Sequence, residues 1–498
     1  MFGNKKSAQT ETLTPHPNGM LLEVDEAPKK AGKWIILAIQ HVLAMFVACI
    51  TVPLIVFAGT SVELGGGTVS LAAVMIAPTL VSAGIGTIFY LVVTKFKSPV
   101  FLASSFAYIT AMSAAIKIDA AAGQVNLWIL PIGMAMVGAV YCLVALLVKI
   151  FGVKWLNKLL PTIVVGPVIM VIGLSLAGSA VSNLTTGAVT GAYNWCAIIS
   201  GLIAMVVTAI CAHYGKGTVS LVPFVIGMGS GYVAAMVFTL IGYYGCGSDY
   251  CHVINFDPLV SLFVQNGQAH ITVQSFLDYP KFLFLAAQSS SVVPLSGSAV
   301  GQAALIFIPV SLVTICEHIG DHKNLSGVLQ RDLLVDPGLT RTLIGDGVAT
   351  AISGICCGAA NTTYGENVAV VGVTKIASTK VIFLACLFSI LLGFFSPLMG
   401  LVQTIPACVT GGVSMILYGF IASSGVKMLV NEHIDMSNTK NMFVSSAVLV
   451  AGIGGLMFSF VFGDTTVAIT SVSVSISSAS SSTRSSARRS LPSKPNNA

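Results

Sequence analysis

Four acidic side chains fall within the apolar part of the chain, where ionised groups are rare: Glu317, Asp321, Asp346 and Glu366. A charged side chain at the centre of a lipid bilayer costs at least ~2.5–3.5 kcal/mol on insertion scales, so each needs a reason to be there. Each acid either contacts a substrate or a proton, or has a structural explanation: it is tied to a partner on a neighbouring helix, or it lies near the membrane surface. We favour the functional interpretation for Glu317 and Glu366. For Asp346, which follows Arg341 early in its helix, we favour the structural one.

Glu317 and Asp321 are four residues apart and therefore share one face of a helix. Two neighbouring carboxylates resist being ionised together, so one of the pair is expected to bind a proton more readily than an isolated acid. Such a carboxyl can bind and release the proton that proton-coupled transport needs.

His318 and His322 have the same spacing one position further on, and a glutamate with two histidines is a conceivable metal site. No further ligand cluster accompanies them, so we do not favour a metal.

A second group of residues that could bind a ligand surrounds Glu366, in the run Thr-Tyr-Gly-Glu-Asn at 363–367. The pattern predicts Glu366 in the first turn of a helix, where free backbone N–H groups and the positive end of the helix dipole are exposed. Gly365 lets backbone approach a ligand. Phe106 starts a similar segment in the first half of the chain and offers a flat ring. Together these groups suit a small planar molecule with an N–H and C=O edge, such as uracil.

The composition shows what must position these residues. Of the 498 residues, 55% are hydrophobic and only 8% are charged, against about 25% charged in an ordinary soluble domain. So few charges cannot cover a water-facing surface of this size. The composition therefore excludes a soluble enzyme, a nucleic-acid binder and a disordered protein, and it predicts a polytopic membrane protein.

The hydropathy pattern predicts eleven apolar runs and two shorter, interrupted segments near 100–116 and 361–379. A spanning helix needs about 20 apolar residues, so each short segment is expected to be a half-helix joined to extended backbone. Thirteen crossings put most loop lysines and arginines on the same side as the N-terminus, which the positive-inside rule makes cytoplasmic. Paired broken segments in two halves of a chain indicate a transporter's binding site.

These spans give the domain organisation. We expect a cytoplasmic tail (1–33), a first half with spans 1–7 (34–245), an external loop with the approach to span 8 (246–299), a second half with spans 8–13 (300–464) and a Ser/Arg-rich tail (465–498). The first 33 residues lack the apolar stretch of a cleavable signal peptide. Cys246 and Cys251 lie in the external loop and are candidates for a disulfide.

Four motifs carry a family resemblance: Gln40-His41, Ser104-Ser105-Phe106-Ala107, Glu317-His318-Ile319-Gly320-Asp321 and Asn361-Thr362-Thr363-Tyr364-Gly365-Glu366-Asn367. In this order, from about residue 34 to 464, the chain resembles the nucleobase–ascorbate transporter family, and within it the uracil-transporting members. The last motif is specific, because purine-transporting members carry a Gln-Asn-Asn type of sequence at that place.

The resemblance implies an all-α polytopic membrane protein of two inverted seven-span repeats, which form a core and a gate domain with short strands in spans 3 and 10. It implies uracil–proton symport by alternating access across a bacterial cytoplasmic membrane, without enzymatic activity or a cofactor. The implied partners are uracil, protons and lipids, often with a second copy of the chain, and no nucleic acid.

The resemblance also implies roles for individual residues. Glu317 and Glu366 would bind the pyrimidine edge, and the rest of the pocket would be formed by Phe106, Gly365, Tyr364 and Ala48. Proton coupling would involve Glu317, Asp321 and His322. Family members carry His or Asp at 321, and this chain has Asp followed by His322, so the group that relays the proton stays open.

Rival interpretations also stay open. The motif at 361–367 argues against a xanthine or other purine permease. The paired broken segments argue against a channel, since channels more often have rings of like residues along a pore. A membrane enzyme is disfavoured because the sequence has no Walker loop, HExxH or nucleophile elbow.

The C-terminus departs from the family pattern. No apolar run follows Gly463 where a fourteenth span is expected, and the tail carries arginines on the side predicted to be external. We hypothesise that a reading-frame change replaced the last span; a genuinely divergent tail is the alternative. If neither other frame of the gene encodes about 20 apolar residues after codon 463, the hypothesis fails.

Overall fold

The computed structural model is mainly helical and covers most of the chain. It describes residues 15–57, 60–64, 67–120, 124–153, 155, 161–187, 191–265, 267–282, 292–456, 458–462 and 465–469. Among them, eight helices are long and apolar enough to cross a membrane, and three shorter helices are also apolar. The chain is therefore a multi-pass membrane protein, as its composition predicts.

The first half of the chain contains nine α-helices within the described residues. They are α1 (Ala31–Val56), α2 (Leu71–Val74), α3 (Ile76–Val93), α4 (Ile109–Ala115), α5 (Ile129–Phe151), α6 (Thr162–Ser175), α7 (Ala177–Thr185), α8 (Trp195–Tyr214) and α9 (Pro223–Ile241). Three strands accompany them: β1 (Ser61–Leu64), β2 (Gly67–Ser70) and β3 (Leu102–Ser104).

The described remainder of the chain contains eight more helices. They are α10 (Asp257–Val260), α11 (Gly297–Leu329), α12 (Leu339–Ile355), α13 (Gly365–Thr374), α14 (Thr379–Phe394), α15 (Ser396–Gln403), α16 (Ala407–Asn431) and α17 (Thr439–Ile453). The strands here are β4 (Val264–Gln265), β5 (Gln268–Ala269), β6 (Asn361–Thr363), β7 (Phe458–Phe462) and β8 (Thr465–Ile469).

The two predicted broken segments are confirmed. In the first, β3 leads through a 3-10 turn (Phe106–Tyr108) into α4, and in the second, β6 leads into α13. The strands pair antiparallel, with Leu102 opposite Thr363 and Ser104 opposite Asn361. Each strand thus supplies hydrogen-bond partners for the other, which permits extended backbone to lie inside a membrane protein.

Side-chain hydrogen bonds fix this strand pair to its neighbours. The Thr87 hydroxyl of α3 donates to the Leu102 carbonyl at 3.1 Å and accepts from the Leu102 N–H at 2.9 Å. The Thr350 hydroxyl of α12 donates to the Asn361 carbonyl at 2.8 Å, and the Asn361 amide donates to the Ser82 carbonyl at 3.2 Å. The strands are therefore anchored to α3 and α12 by groups that do not titrate.

The long helices form two packed groups. In one, α12 packs on both α3 and α5, and α3 also packs on α14; in the other, α16 packs on α6 and α8, and α8 on α9. α11 contacts α5 and α13 and also reaches α6. The elements that carry the broken segments belong to the first group, and α11 borders the second.

Glycine permits the closest helix contact in the second group. A Cβ added to Gly412 of α16 would overlap the backbone carbonyl of Gly201 in α8, whereas a Cβ at Gly419 of the same helix would meet nothing within 4 Å. We expect Gly412→Ala to lower the free energy of unfolding by about 1–3 kcal/mol through overpacking. Gly419→Ala should leave it unchanged or slightly higher, because alanine favours helix. Melting temperatures in detergent test this, and equal values for both variants would contradict it.

An ion-pair cluster joins the segment after α11 to the segment before β3. Lys97 Nζ lies 2.8 Å from one Asp336 oxygen, and Arg331 Nη2 lies 2.5 Å from the other. Hydrogen bonds from Lys97 and then Arg331 hold the pKa of Asp336 below its ordinary value. A lowered carboxyl pKa stabilises the fold at neutral pH, and this contribution is lost as the pH falls through the lowered value. The groups are exposed, so the contribution is small.

Some predictions fall outside the described residues. These are the Cys246 side chain, and with it the candidate disulfide to Cys251, the Ser-rich stretch at 283–291 and everything after residue 469. After α17, β7 and β8 form an antiparallel hairpin, and no further helix follows within the part of the chain that the structure describes. The origin of the tail stays a hypothesis.

Candidate substrate-binding site

The site is centred on the N-terminal end of α13. Tyr364 precedes the helix, and its side chain makes no capping hydrogen bond. The Tyr364 side chain is buried, while Gly365 and Glu366 are half-buried, and the Glu366 carboxyl accepts from its own backbone N–H. The backbone N–H groups and the dipole of a helix start favour a ligand with negative charge or an acceptor oxygen. The predicted position of Glu366 in a first helical turn is thereby confirmed.

α11 brings two more carboxyl groups to this helix start. Glu317 and Asp321 are half-buried, and the Thr363 hydroxyl donates to Asp321 Oδ2 at 2.7 Å. Asp321 Oδ1 lies 3.6 Å from the place that a Cβ would take on Gly365. The carboxyls of Glu317, Asp321 and Glu366 interact electrostatically.

No ion pair among the described residues neutralises these three carboxyls; those present lie elsewhere. Three acids therefore share one region without a neighbouring cation. A bound proton reduces their mutual repulsion, and a ligand N–H group can donate to a carboxylate oxygen. The arrangement can thus bind a proton and an N–H donor together.

Aromatic rings form another side of the site. Phe106, on the 3-10 turn after β3, is 9% exposed, and its ring meets that of Tyr418 edge-on, with centroids 6.1 Å apart. Tyr418 lies in α16, which belongs to the other packed group of helices. Tyr418 is not among the site residues predicted from the sequence. Its only sequence signal is that it is the one tyrosine of this span.

α1 is held against α13 by a buried asparagine. The Asn367 amide donates to the His41 carbonyl at 3.0 Å and lies 3.1 Å from His41 Nδ1. His41 therefore has a structural role, because it joins α1 to α13. Ala48 is buried two turns further along α1, which also packs against β3.

The two histidines of α11 make their contacts away from the carboxyl cluster. His318 Nδ1 is hydrogen-bonded to Asp346 Oδ2 at 2.8 Å, and the His318 and His322 rings stack with centroids 4.1 Å apart. His322 Nε2 is hydrogen-bonded to the Tyr90 hydroxyl at 2.6 Å, and its Nδ1 to the His318 carbonyl at 2.8 Å. Asp346 therefore has a buried partner, and both ring nitrogens of His322 are engaged.

The structure thus brings most of the predicted site residues together. Those around the start of α13 are Glu317, Asp321, Tyr364, Gly365 and Glu366; Phe106 lies on the 3-10 turn that contacts α11, and Ala48 lies on the adjoining helix α1. His322 is the exception. Among the described residues, no group of three His, Cys, Asp or Glu side chains has the geometry to hold a metal ion.

The model of the xanthine/uracil permease family matches residues 32–462. The chain belongs to the nucleobase–ascorbate transporter family. It is 35% identical over 457 residues to the uracil permease of Bacillus caldolyticus, covering 91% of this chain and 93% of that one. It is 36% identical over 431 residues to that of Bacillus subtilis (85% and 86%) and 31% identical over 422 residues to that of Escherichia coli K12 (84% of each).

Two solved structures share the fold of this nucleobase–ascorbate transporter. Murine Solute Carrier 26 family member A9, an anion transporter in an inward-facing state, aligns with a TM-score of 0.59 at 10% identity, covering 93% of this chain and 69% of that one. The transmembrane domain of the cyanobacterial bicarbonate transporter BicA aligns with a TM-score of 0.52 at 13% identity, covering 86% and 97%. The expected all-α, inverted-repeat architecture is confirmed.

Proposed function

We propose that this nucleobase–ascorbate transporter imports uracil together with a proton, by alternating access across a bacterial cytoplasmic membrane and with its N-terminus inside. The observation that carries the proposal is the group of three carboxyls around the start of α13, which no ion pair among the described residues neutralises. Relatives named uracil permeases, at 31–36% identity over most of the chain, support the choice of substrate. A homodimer stays a prediction.

The geometry suits the edge of a pyrimidine. A ring N–H of uracil donates to the Glu366 carboxylate, and a second ring N–H reaches Glu317. A uracil carbonyl accepts from the Gly365 N–H, and the ring packs against Phe106. A hydrogen bond to a charged acceptor is worth ~1.5–3 kcal/mol, so the Glu366 carboxylate contributes most to the affinity.

A proton completes the binding reaction. With Glu317, Asp321 and Glu366 all ionised, the site would hold three like charges in a region of low polarity. Protonation of Glu317 or Asp321 removes one charge and leaves Glu366 as the acceptor for uracil. Binding of the proton and binding of uracil therefore favour each other, and this linkage is what symport requires.

Substrate choice is tested by equilibrium binding of radiolabelled uracil to the purified protein in detergent. We expect unlabelled uracil to displace the label and xanthine in large excess to leave it bound, since the second ring of a purine must pass Phe106 and Tyr418. Displacement by xanthine at concentrations similar to uracil would favour the purine permease instead.

Alternating access requires the two packed groups of helices to move relative to each other. On the side that we assign to the cytoplasm, Lys323 Nζ of α11 lies 3.1 Å from the Glu432 carboxylate at the end of α16. One turn deeper, the Met428 side chain lies against Gly320. These contacts close the path between α11 and α16 on this side, so uracil release to the cytoplasm requires them to separate.

We expect a reversible bifunctional thiol crosslinker, bound to both cysteines of the double variant Lys323→Cys/Glu432→Cys, to reduce uracil uptake to background, and a reductant to restore it. The matched control is Lys97→Cys/Asp336→Cys, which joins two segments of the first helix group and should leave uptake intact when crosslinked. Each single-cysteine variant is treated in parallel to exclude effects of the native cysteines. Full uptake by the crosslinked Lys323/Glu432 pair would show that this contact does not open during transport.

A further inference from the structure

One hydrogen bond connects the paired strands to the helix that carries the coupling carboxyls. The Thr363 hydroxyl, at the end of β6, donates to Asp321 Oδ2 of α11 at 2.7 Å. Thr363 is 2% exposed and its backbone pairs with Leu102 of β3. Among the side-chain hydrogen bonds of the described residues, this is the one that joins β6 to α11.

The other anchors of the strand pair differ in kind. Thr87 and Thr350 bond to backbone groups, and the Asn361 side chain bonds to a backbone carbonyl. The strength of those bonds does not depend on pH, because none of their donors or acceptors titrates. The bond from Thr363 ends on a carboxyl, and a hydroxyl donor prefers a carboxylate to a neutral carboxylic acid. Its strength therefore depends on whether Asp321 carries a proton.

We propose that Thr363 is the positioning residue for Asp321, holding the ionised carboxylate against the substrate-binding strand and weakening its hold when Asp321 takes up a proton. The proposal rests on the proposed function, since it treats Asp321 as a coupling group. It adds a way in which protonation of Asp321 affects the substrate site: Thr363 is two residues from Gly365, so weakening this bond loosens the contact between the start of α13 and α11.

The surroundings make Thr363 the main stabiliser of the Asp321 charge. The charged groups that interact with Asp321 are all acids: Glu317 on its own helix, Asp346 on α12 and Glu366 on α13. None of them favours a second negative charge. Removing the Thr363 donor therefore makes the protonated form of Asp321 persist to higher pH.

The test is the pH profile of uracil uptake in proteoliposomes for Thr363→Val, which keeps the shape of threonine without its hydroxyl. We expect the midpoint of the profile to shift by about one pH unit towards higher pH. A shift of this size corresponds to the free energy of one hydrogen bond to a charged group. Thr363→Ser retains the donor and should restore the wild-type midpoint. Uracil affinity measured well below both midpoints should be the same in all three proteins.

Thr374→Val is the matched control, because the Thr374 hydroxyl donates only to the Val370 carbonyl of its own helix at 2.7 Å. Its midpoint should equal that of wild type. If Thr363→Val does not accumulate, Thr363→Ala removes the same donor in a smaller side chain. An unshifted midpoint, or the same shift in Thr363→Ser, would overturn the proposal. Absence of pH-dependent uracil uptake in the wild type would instead refute the proposed function.

Discussion

We expect Glu366→Gln to abolish tight uracil binding. Glutamine keeps the size of the side chain but places an N–H₂ donor where the ligand N–H needs an acceptor. It also removes a charge-assisted hydrogen bond worth ~1.5–3 kcal/mol, which corresponds to roughly a 10- to 150-fold loss of affinity. The loss should be larger if the new donor faces the ligand's own N–H. Equilibrium binding of radiolabelled uracil in detergent measures it.

The control is Glu26→Gln, an equivalent change in the N-terminal segment, where the carboxylate is partly exposed and bonds to the Glu23 N–H. It should bind uracil as the wild type does. Glu366 is half-buried beside Gly365 and has no cation partner among the described residues, so the glutamine should not unfold the protein. Wild-type affinity in Glu366→Gln would remove Glu366 from the binding site.

The second large effect is expected from Asp321→Asn. In the wild type, uptake should fall as the pH rises, because the carboxyl that must carry the coupled proton is then ionised. Asparagine cannot titrate, so the variant should lose this pH dependence and no longer concentrate uracil. A gradient of one pH unit supports about tenfold accumulation in one-to-one symport, since one unit is 1.36 kcal/mol. In the variant the ratio should fall to about one.

Exchange of internal for external uracil distinguishes uncoupling from inactivation. It does not need a net proton movement, so Asp321→Asn should still exchange uracil across proteoliposome membranes. Glu317→Gln, which removes a proposed ligand, should lose exchange as well. If Asp321→Asn retains its pH profile and its accumulation, Asp321 is not the coupling group and Glu317 becomes the better candidate.

The elements of the site were predictable because they depend on local sequence. Small and β-branched residues before Phe106 and before Gly365 favour extended backbone, and neither apolar segment is long enough to cross a bilayer as one helix. Rare acids in apolar surroundings then pointed to Glu317 and Glu366. Each of these signals lies within a few residues of the feature that it predicts.

The remaining contacts depend on tertiary packing that no local pattern encodes. Tyr418 meets Phe106 only because the second helix group, which includes α16, lies against the turn after β3, and His322 is hydrogen-bonded to Tyr90 of α3 rather than to Glu317. The Thr363 bond to Asp321 likewise joins residues that are 42 positions apart. Side chains of the same type at the same spacing fit either arrangement, so sequence alone could not choose between them.

Helix ends were also harder to predict than helix positions. α11 was expected at about 300–320 but extends from Gly297 to Leu329, and α16 continues six residues beyond the predicted end at 425 to Asn431. Hydropathy falls where polar residues begin, yet the backbone stays helical because those residues lie against protein or reach water. In α11 the polar residues after the apolar run include Asp321, which we propose to be functional, and His322, which is buried. The helix therefore continues past the point where the hydropathy falls.

The most direct test of uracil–proton symport is uptake of radiolabelled uracil by proteoliposomes with an imposed pH gradient, acidic outside. If the protein is a uracil–proton symporter, we expect uracil to accumulate above its external concentration and a protonophore to abolish that accumulation. Proteoliposomes that contain the Glu366→Gln variant should show no accumulation. Uracil that only equilibrates across the membrane, at a rate and to a level unaffected by the gradient or the protonophore, would contradict proton coupling.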